Sequence, residues 1–119
     1  MEYQNDDVLR MIEQTGATLR LAAARFAQGA PADESLTLTA EAIRDVVDID
    51  PLTFCGMSPP TMVTLLEMSG LDDRLVSRVA ESLLLEADIL QSEGELVDAG
   101  IRREQAQAVL DAIDPTRAN

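Results

Sequence analysis

The stretch from Asp72 to Glu93, DDRLVSRVAESLLLEADILQSE, constrains the fold more than any other part of the chain. Asp72 supplies a helix-capping carboxylate and Gly94 follows its end, so the pattern predicts one long helix. At about 100° per residue, the residues on its main apolar face are Leu75, Val76, Val79, Ala80, Leu83, Ala87 and Leu90, with Leu84, Leu85 and Ile89 at the sides. A helix that is apolar on more than one side is typical of the buried centre of a bundle.

The other apolar patterns also have helical spacing, and no segment alternates with period two. We therefore predict an all-α fold: a single domain over residues 1–119, built as an irregular five-helix bundle around the long central helix. The other predicted helices run from Asn5–Asp7 to Gly29, from Asp33 or Ser35 to Val47, from Ser58 to Ser69 and from Arg103 to Ile113, where Asp114-Pro115 stops the last one. The segment ELVDAG after Gly94 is expected to add at most one turn. The segment between Val47 and Ser58 is predicted to be an irregular connection that packs Leu52, Phe54 and Met57 inward.

The first predicted helix carries apolar residues in alternating steps of four and three, the spacing of a heptad seam. The residues of this seam are Val8, Ile12, Thr15, Leu19, Ala22 and Phe26, with the small residues Gly16, Ala23 and Ala24 beside it. The seam predicts packing along another helix, either in the same chain or in a second copy. In the second case Val8, Ile12, Leu19 and Phe26 form a possible homodimer interface.

Charge limits the kinds of partner that the chain can bind. There are 22 acidic and 9 basic residues, all of the latter Arg, which gives a net charge of −13. Such a surface repels phosphate backbones and anionic lipid, so we expect neither nucleic-acid nor membrane binding. No charge-free run is long enough to span a bilayer. With one cysteine and no signal-peptide pattern, the chain is predicted to be cytoplasmic.

The residue types argue against most catalytic chemistry. The chain has no His and no Lys, so the commonest general base and Schiff-base chemistry are absent. Cys55 has acidic rather than basic sequence neighbours and is interpreted as a structural, partly buried thiol. Asp45, Asp48 and Asp50 form the densest acidic cluster but do not match a calcium-binding loop, so no metal or other cofactor is predicted.

Glu86 is the one acidic residue of the central helix that lies at the edge of the apolar face. A buried carboxylate requires a charged or hydrogen-bonding partner. We predict a structural salt bridge with Arg10, Arg20 or Arg25 of the first helix; a functional acid and simple solvent exposure are the alternatives.

Two segments of the chain are weakly similar. ESLTLTAEAI from Glu34 and ESLLLEADIL from Glu81 match at five of ten positions, 47 residues apart. Either an internal duplication or coincidence between two amphipathic helices accounts for such a match.

The central helix and its successor, RVAESLLLEADILQSEG followed by a helix with Ala106 and Leu110, resemble a single tetratricopeptide-like hairpin. The complete layout, with NDDVLRMIEQ, the Ser58-Pro59 step and LLLEADIL, resembles a family of small uncharacterised bacterial helical proteins. This resemblance implies an all-helical fold and no assigned activity. We expect a non-enzymatic protein-interaction or assembly module that binds another protein or itself. The alternatives are an acidic regulator that sequesters a basic protein and a carboxylate-based, metal-dependent enzyme.

Overall fold

A computed structural model describes residues 5–113, and within that range the fold is all-helical. The helices are α1 (Asn5–Ala27), α2 (Ala32–Val47), α3 (Pro51–Cys55), α4 (Pro59–Ser69), α5 (Asp73–Ser92) and α6 (Leu96–Ile113). The predicted stop at Asp114-Pro115 lies outside the described residues. No helix in this range combines the length and apolarity needed to cross a membrane.

The described part of the chain has six helices rather than the predicted five. The extra helix, α3, forms because Pro51 fits the first helical turn and the Asp50 side chain accepts a hydrogen bond from the Thr53 backbone N–H. On this helix Phe54 is fully buried, but Leu52 is 84% exposed, so the prediction that Leu52 packs inward is wrong. The predicted last helix, from Arg103, is the second half of α6, which begins at Leu96.

Helix α5 is the centre of the bundle, as its apolar surface predicts. It packs against α1, α2 and α6. Its fully buried residues include Val79, Ala80, Leu83, Ala87 and Ile89. Helix α4 lies mainly against α6 and adds Met62 and Leu66 to the core. The predicted caps Ser58 and Asp72 each accept a backbone N–H in the first turn of their helices.

Helix α2 begins differently from the prediction. Its N-terminal cap position is Pro31, and neither Asp33 nor Ser35 caps the helix with its side chain. Ser35 is buried instead, and its hydroxyl donates to the Ala22 carbonyl of α1 at 3.2 Å. That bond links α1 to α2 within one chain, and its acceptor, Ala22, is a residue of the α1 seam.

Helix α1 approaches α5 closely at a glycine. The Arg78 guanidinium lies beside Gly16, where an added Cβ would be 3.0 Å from Nη2. Arg78 Nε also donates to the Ile12 carbonyl at 3.2 Å. Ala23 and Ala24, which the sequence places beside the seam, are exposed rather than packed against a neighbouring helix.

Candidate functional site

A buried ion pair between α5 and α6 is the densest polar feature of the described residues. Glu86 is only 8% exposed, and its Oε1 accepts from Arg102 Nε at 3.0 Å. Its Oε2 accepts from Thr39 Oγ1 of α2, also at 3.0 Å. The predicted inter-helix salt bridge is therefore present, but its partner is Arg102 of α6 rather than Arg10, Arg20 or Arg25 of α1.

The same network holds the carboxyl end of α3. Arg102 Nη1 donates to the Cys55 carbonyl at 3.1 Å. Gln105 Nε2 donates to the carbonyls of Cys55 and Met57 at 2.8 Å and 2.9 Å. Since carbonyls at a helix end lack partners within the helix, these two side chains satisfy them and fix α3 against α6.

The buried side-chain polar atoms of this network all have partners. Among the described residues, no buried side-chain nitrogen or oxygen lacks a hydrogen bond. The Glu86 carboxylate accepts from an arginine and a hydroxyl, and breaking a buried pair of this kind costs about 3–5 kcal/mol. The arrangement links α2, α5 and α6.

Cys55 lies against this network, and its thiol has low nucleophilic reactivity. Its side chain is more fully buried than predicted, with 5% of the residue exposed. Burial first, and then the Glu86 carboxylate, raise the pKa of the thiol to about 12, against an opposing effect of Arg102. The nucleophilic thiolate is therefore scarce at neutral pH.

Above the ion pair is a groove of about 310 Å³ between α2, α3, α5 and α6, called here the α2–α6 groove. Its lining consists of Leu36, Ala40 and Arg44 from α2, Asp50, Pro51, Leu52 and Cys55 at α3, Glu86 and Leu90 from α5, and Arg102 from α6. The walls are mainly apolar and the charges at the base are paired with each other.

Other hollows lie elsewhere on the described surface. Two of them, of about 210 Å³ and 410 Å³, are both bordered by Leu71 between α4 and α5. One reaches Ile113 and the other reaches Asp7, so both adjoin the limits of the described range. The α2–α6 groove is formed by elements well inside that range.

The predicted interface residues of α1 take part in packing within the monomer. Leu19 is 7% exposed, and Val8, Ile12 and Phe26 are half-buried. Val8 and Ile12 pack against the core that surrounds α5. These four residues are therefore at least partly covered within one chain.

The acidic cluster after α2 has local structural roles. Asp48 ends α2 in the left-handed region, with φ of 57°. Asp50 caps α3 through its hydrogen bonds to Thr53. Within residues 5–113, no three acidic or cysteine side chains converge in a way that could hold a metal ion.

Sequence reasoning missed Thr39, Arg102 and Gln105. One signal for Thr39 is present in the two similar segments, because Thr39 and Glu86 occupy the same place in them, 47 residues apart. Arg102 and Gln105 stand beside the apolar face of α6 formed by Ala99, Ala106 and Val109, where polar side chains need partners. Neither the two similar segments nor the apolar face of α6 identifies Glu86 as the partner of these side chains.

Comparisons of the chain with models of protein families, with curated proteins and with solved structures find no match. The resemblance to a bacterial helical family and that to a tetratricopeptide-like hairpin stay predictions.

Proposed function

We propose that the protein is a non-enzymatic interaction module that binds a segment of another protein in the α2–α6 groove. The observation that carries this proposal is Leu52, which is 84% exposed on a helix held in place by Arg102 and Gln105. Because the Leu52 side chain is exposed, it does not contribute to core packing within the chain. In the proposed complex it is an apolar anchor that the partner buries, and such anchors supply much of the affinity of an interface.

Further large apolar side chains are exposed on α6. Val97, on the first turn of α6, is 78% exposed, and Leu96 and Ile101 are exposed as well. Val97 and Ile101 are four residues apart and so share one side of α6. None of these three residues lines the α2–α6 groove. The α5–α6 pair would then serve as the tetratricopeptide-like hairpin of the module.

The polar groups at the base support a binding role over a catalytic one. Glu86 is fully hydrogen-bonded, and the Cys55 thiol is protonated at neutral pH because its pKa is raised to about 12. These properties favour a structural role for both groups in the proposed module. In the predicted cytoplasmic setting, a lone buried thiol also stays reduced.

The groove is a better candidate for the partner site than the α1 seam. The seam residues are largely covered by α2 and α5, whereas Leu52 is free in the monomer. The alternative of an acidic regulator that imitates nucleic acid has less support, because the exposed carboxylates are spread over α1, α2, α4, α5 and α6 rather than gathered in one stripe.

Site-specific photo-crosslinking in cells tests this proposal. A photoreactive residue at Leu52 is compared with one at Met68, which is 81% exposed on α4 and lies outside the groove. We expect discrete crosslinked partner proteins from position 52 and not from position 68. The same products from both positions, or none from position 52, would show that the groove is not the binding site.

A further inference from the structure

Two arginine side chains from different helices come together beside Gly16 of α1. A Cβ added at Gly16 would lie 3.0 Å from Arg78 Nη2 and 3.3 Å from Arg20 Nη1. Arg20 follows Gly16 by one turn of α1, and a helical side chain covers the turn that precedes it. Arg78 reaches the same point from α5. The two guanidinium groups are therefore neighbours, called here the Arg20–Arg78 pair.

Glycine is what allows this approach. An alanine Cβ at Gly16 would also lie 3.2 Å from Arg78 Cζ, so the Arg78 guanidinium rests almost directly on the α1 backbone. Glycine inside a helix costs stability relative to alanine. At this position its missing side chain makes room for a cation.

Arg78 has one nitrogen that the chain does not use. Its Nε donates to the Ile12 carbonyl at 3.2 Å, and its Nη1 donates to Glu81 Oε1 at 2.9 Å. No hydrogen bond from Nη2 is found among the described residues. Since no buried side-chain nitrogen or oxygen in that range lacks a partner, Arg78 Nη2 must reach solvent. It is the nitrogen closest to Gly16 and borders Arg20.

Arg20 is exposed and has no ion pair within residues 5–113. The arginines of this range that do have one are Arg10, Arg25, Arg74, Arg78, Arg102 and Arg103. The chain has 22 acidic residues, yet the charged group that borders the Arg20 guanidinium at Gly16 is another cation. Like charges at this distance repel each other, and an anion bound between them would remove that cost.

We propose that Arg20 and Arg78 bind the carboxylate group of a ligand. Two N–H donors that border one point can donate to the two oxygens of a single carboxylate, and such charge-assisted bonds are strong. Together with Glu81, the two guanidinium groups have a net charge of one positive unit, which one carboxylate neutralises. A dianion would add a negative charge to a chain that already has a net charge of −13.

This site is separate from the α2–α6 groove, because neither Arg20 nor Arg78 lines that groove. It lies on the α1–α5 side of the bundle. The proposal therefore does not depend on the proposed function.

The test titrates the full-length, ¹⁵N-labelled protein and follows the arginine Nε–Hε and Gly16 backbone NMR signals. The probes are sodium acetate and an acetylated, amidated tripeptide with a central Glu. Sodium chloride at equal ionic strength controls for screening, and inorganic phosphate is the dianion for comparison. Arg20→Gln is compared with Arg44→Gln, since both arginines are exposed and neither has an ion pair in the described range. Thermal unfolding checks that both variants are folded.

We expect acetate to shift the Arg20, Arg78 and Gly16 signals in a saturable way that chloride does not reproduce. Arg20→Gln should weaken acetate binding about tenfold or more, the loss expected for one hydrogen bond to a charged group. Arg44→Gln should bind as the wild type does. Tighter binding of the tripeptide than of acetate would assign the carboxylate to a protein partner, and equal binding would assign it to a free small acid.

Several outcomes would overturn the proposal. Equal shifts in acetate and chloride would show screening alone, and unchanged binding by Arg20→Gln would show that this pair is not the site. Tighter binding of phosphate than of acetate would contradict a carboxylate ligand. Glu13 lies on α1 three residues before Gly16, so acetate binding that appears only in Glu13→Gln would show that the chain's own carboxylate occupies the site. The crosslinking experiment at position 52 is unaffected by any of these results.

Discussion

Thr39 and Glu86 lie 47 residues apart in the chain and are joined by a 3.0 Å hydrogen bond from Thr39 Oγ1 to Glu86 Oε2. They occupy the same place in the two similar segments, so equivalent positions of α2 and α5 meet where these helices pack. The neighbouring contacts differ. Ser35 donates to Ala22 of α1, whereas the equivalent Ser82 donates to Arg78 of its own helix. The similarity thus extends to the contact between the two helices and not to their surroundings.

The buried ion pair is expected to matter far more than an exposed one. Arg102→Met leaves the buried Glu86 side chain without its cationic partner, so we expect a loss of about 3–5 kcal/mol in the free energy of unfolding. Arg103→Met, which removes the exposed pair with Asp88, should cost less than about 1 kcal/mol. Urea unfolding followed by circular dichroism measures both. Adding Glu86→Leu to Arg102→Met should recover much of the stability, and an equal loss for both single variants would contradict a structural role of the network.

Stability should decline at alkaline pH because of Cys55. The folded-state pKa of this thiol is raised from 9.0 to about 12, so its protonated form favours the folded chain. This contribution to the free energy of unfolding is fully present below pH 9, decreases as the pH rises above 9 and is lost near pH 12. The loss amounts to roughly 2 kcal/mol by about pH 10.5. The chain has no Lys and one Tyr, so few other groups titrate there. Cys55→Ala, unfolded in urea at several pH values, should lack most of this decline; an unchanged profile would contradict the assignment.

Two glycines, one in the α5–α6 connection and one inside α6, should respond in opposite ways to alanine. Gly100 lies inside α6 with nothing within 4 Å of an added Cβ, so Gly100→Ala should stabilise the protein by about 0.5–1 kcal/mol. Gly94 has φ of +83°, where a side chain is strained, so Gly94→Ala should destabilise it by about 1–2 kcal/mol. Thermal unfolding of the two variants checks the signs. A loss of stability in Gly100→Ala would mean that α6 is bent or packed differently there.

Substitutions in α1 separate core packing from self-association. Leu19 is buried, so Leu19→Asp should cost at least about 3 kcal/mol. Leu21, which is exposed on the same helix, is the matched control, and Leu21→Asp should change stability by less than about 1 kcal/mol. Light scattering after size exclusion, together with circular dichroism, distinguishes the outcomes. A wild-type dimer that Leu19→Asp converts into a folded monomer would instead place the α1 seam at a subunit interface.

Local patterns predicted most of the helices but not the shape of the chain between Val47 and Ser58. The caps at Ser58 and Asp72 and the apolar surface of α5 depend on neighbours within one or two turns, which the sequence displays directly. The extra helix α3 was missed because five residues are too few for a periodic pattern. Leu52 was predicted to be inside because it is apolar, yet its exposure depends on how α3 is held by Arg102 and Gln105 of a distant helix.

By itself, the sequence determined that this chain is helical, that α5 is its centre, that its surface is strongly acidic and that a carboxylate at Glu86 needs a partner. These properties follow from residue spacing and composition. Only the tertiary structure decided that the partner is Arg102, that Thr39 shares the carboxylate and that Leu52 stands in solvent beside a groove. The reason is that all three depend on the angles and offsets at which α2, α3 and α6 pack on α5, and those arise from the fit of many side chains across the core.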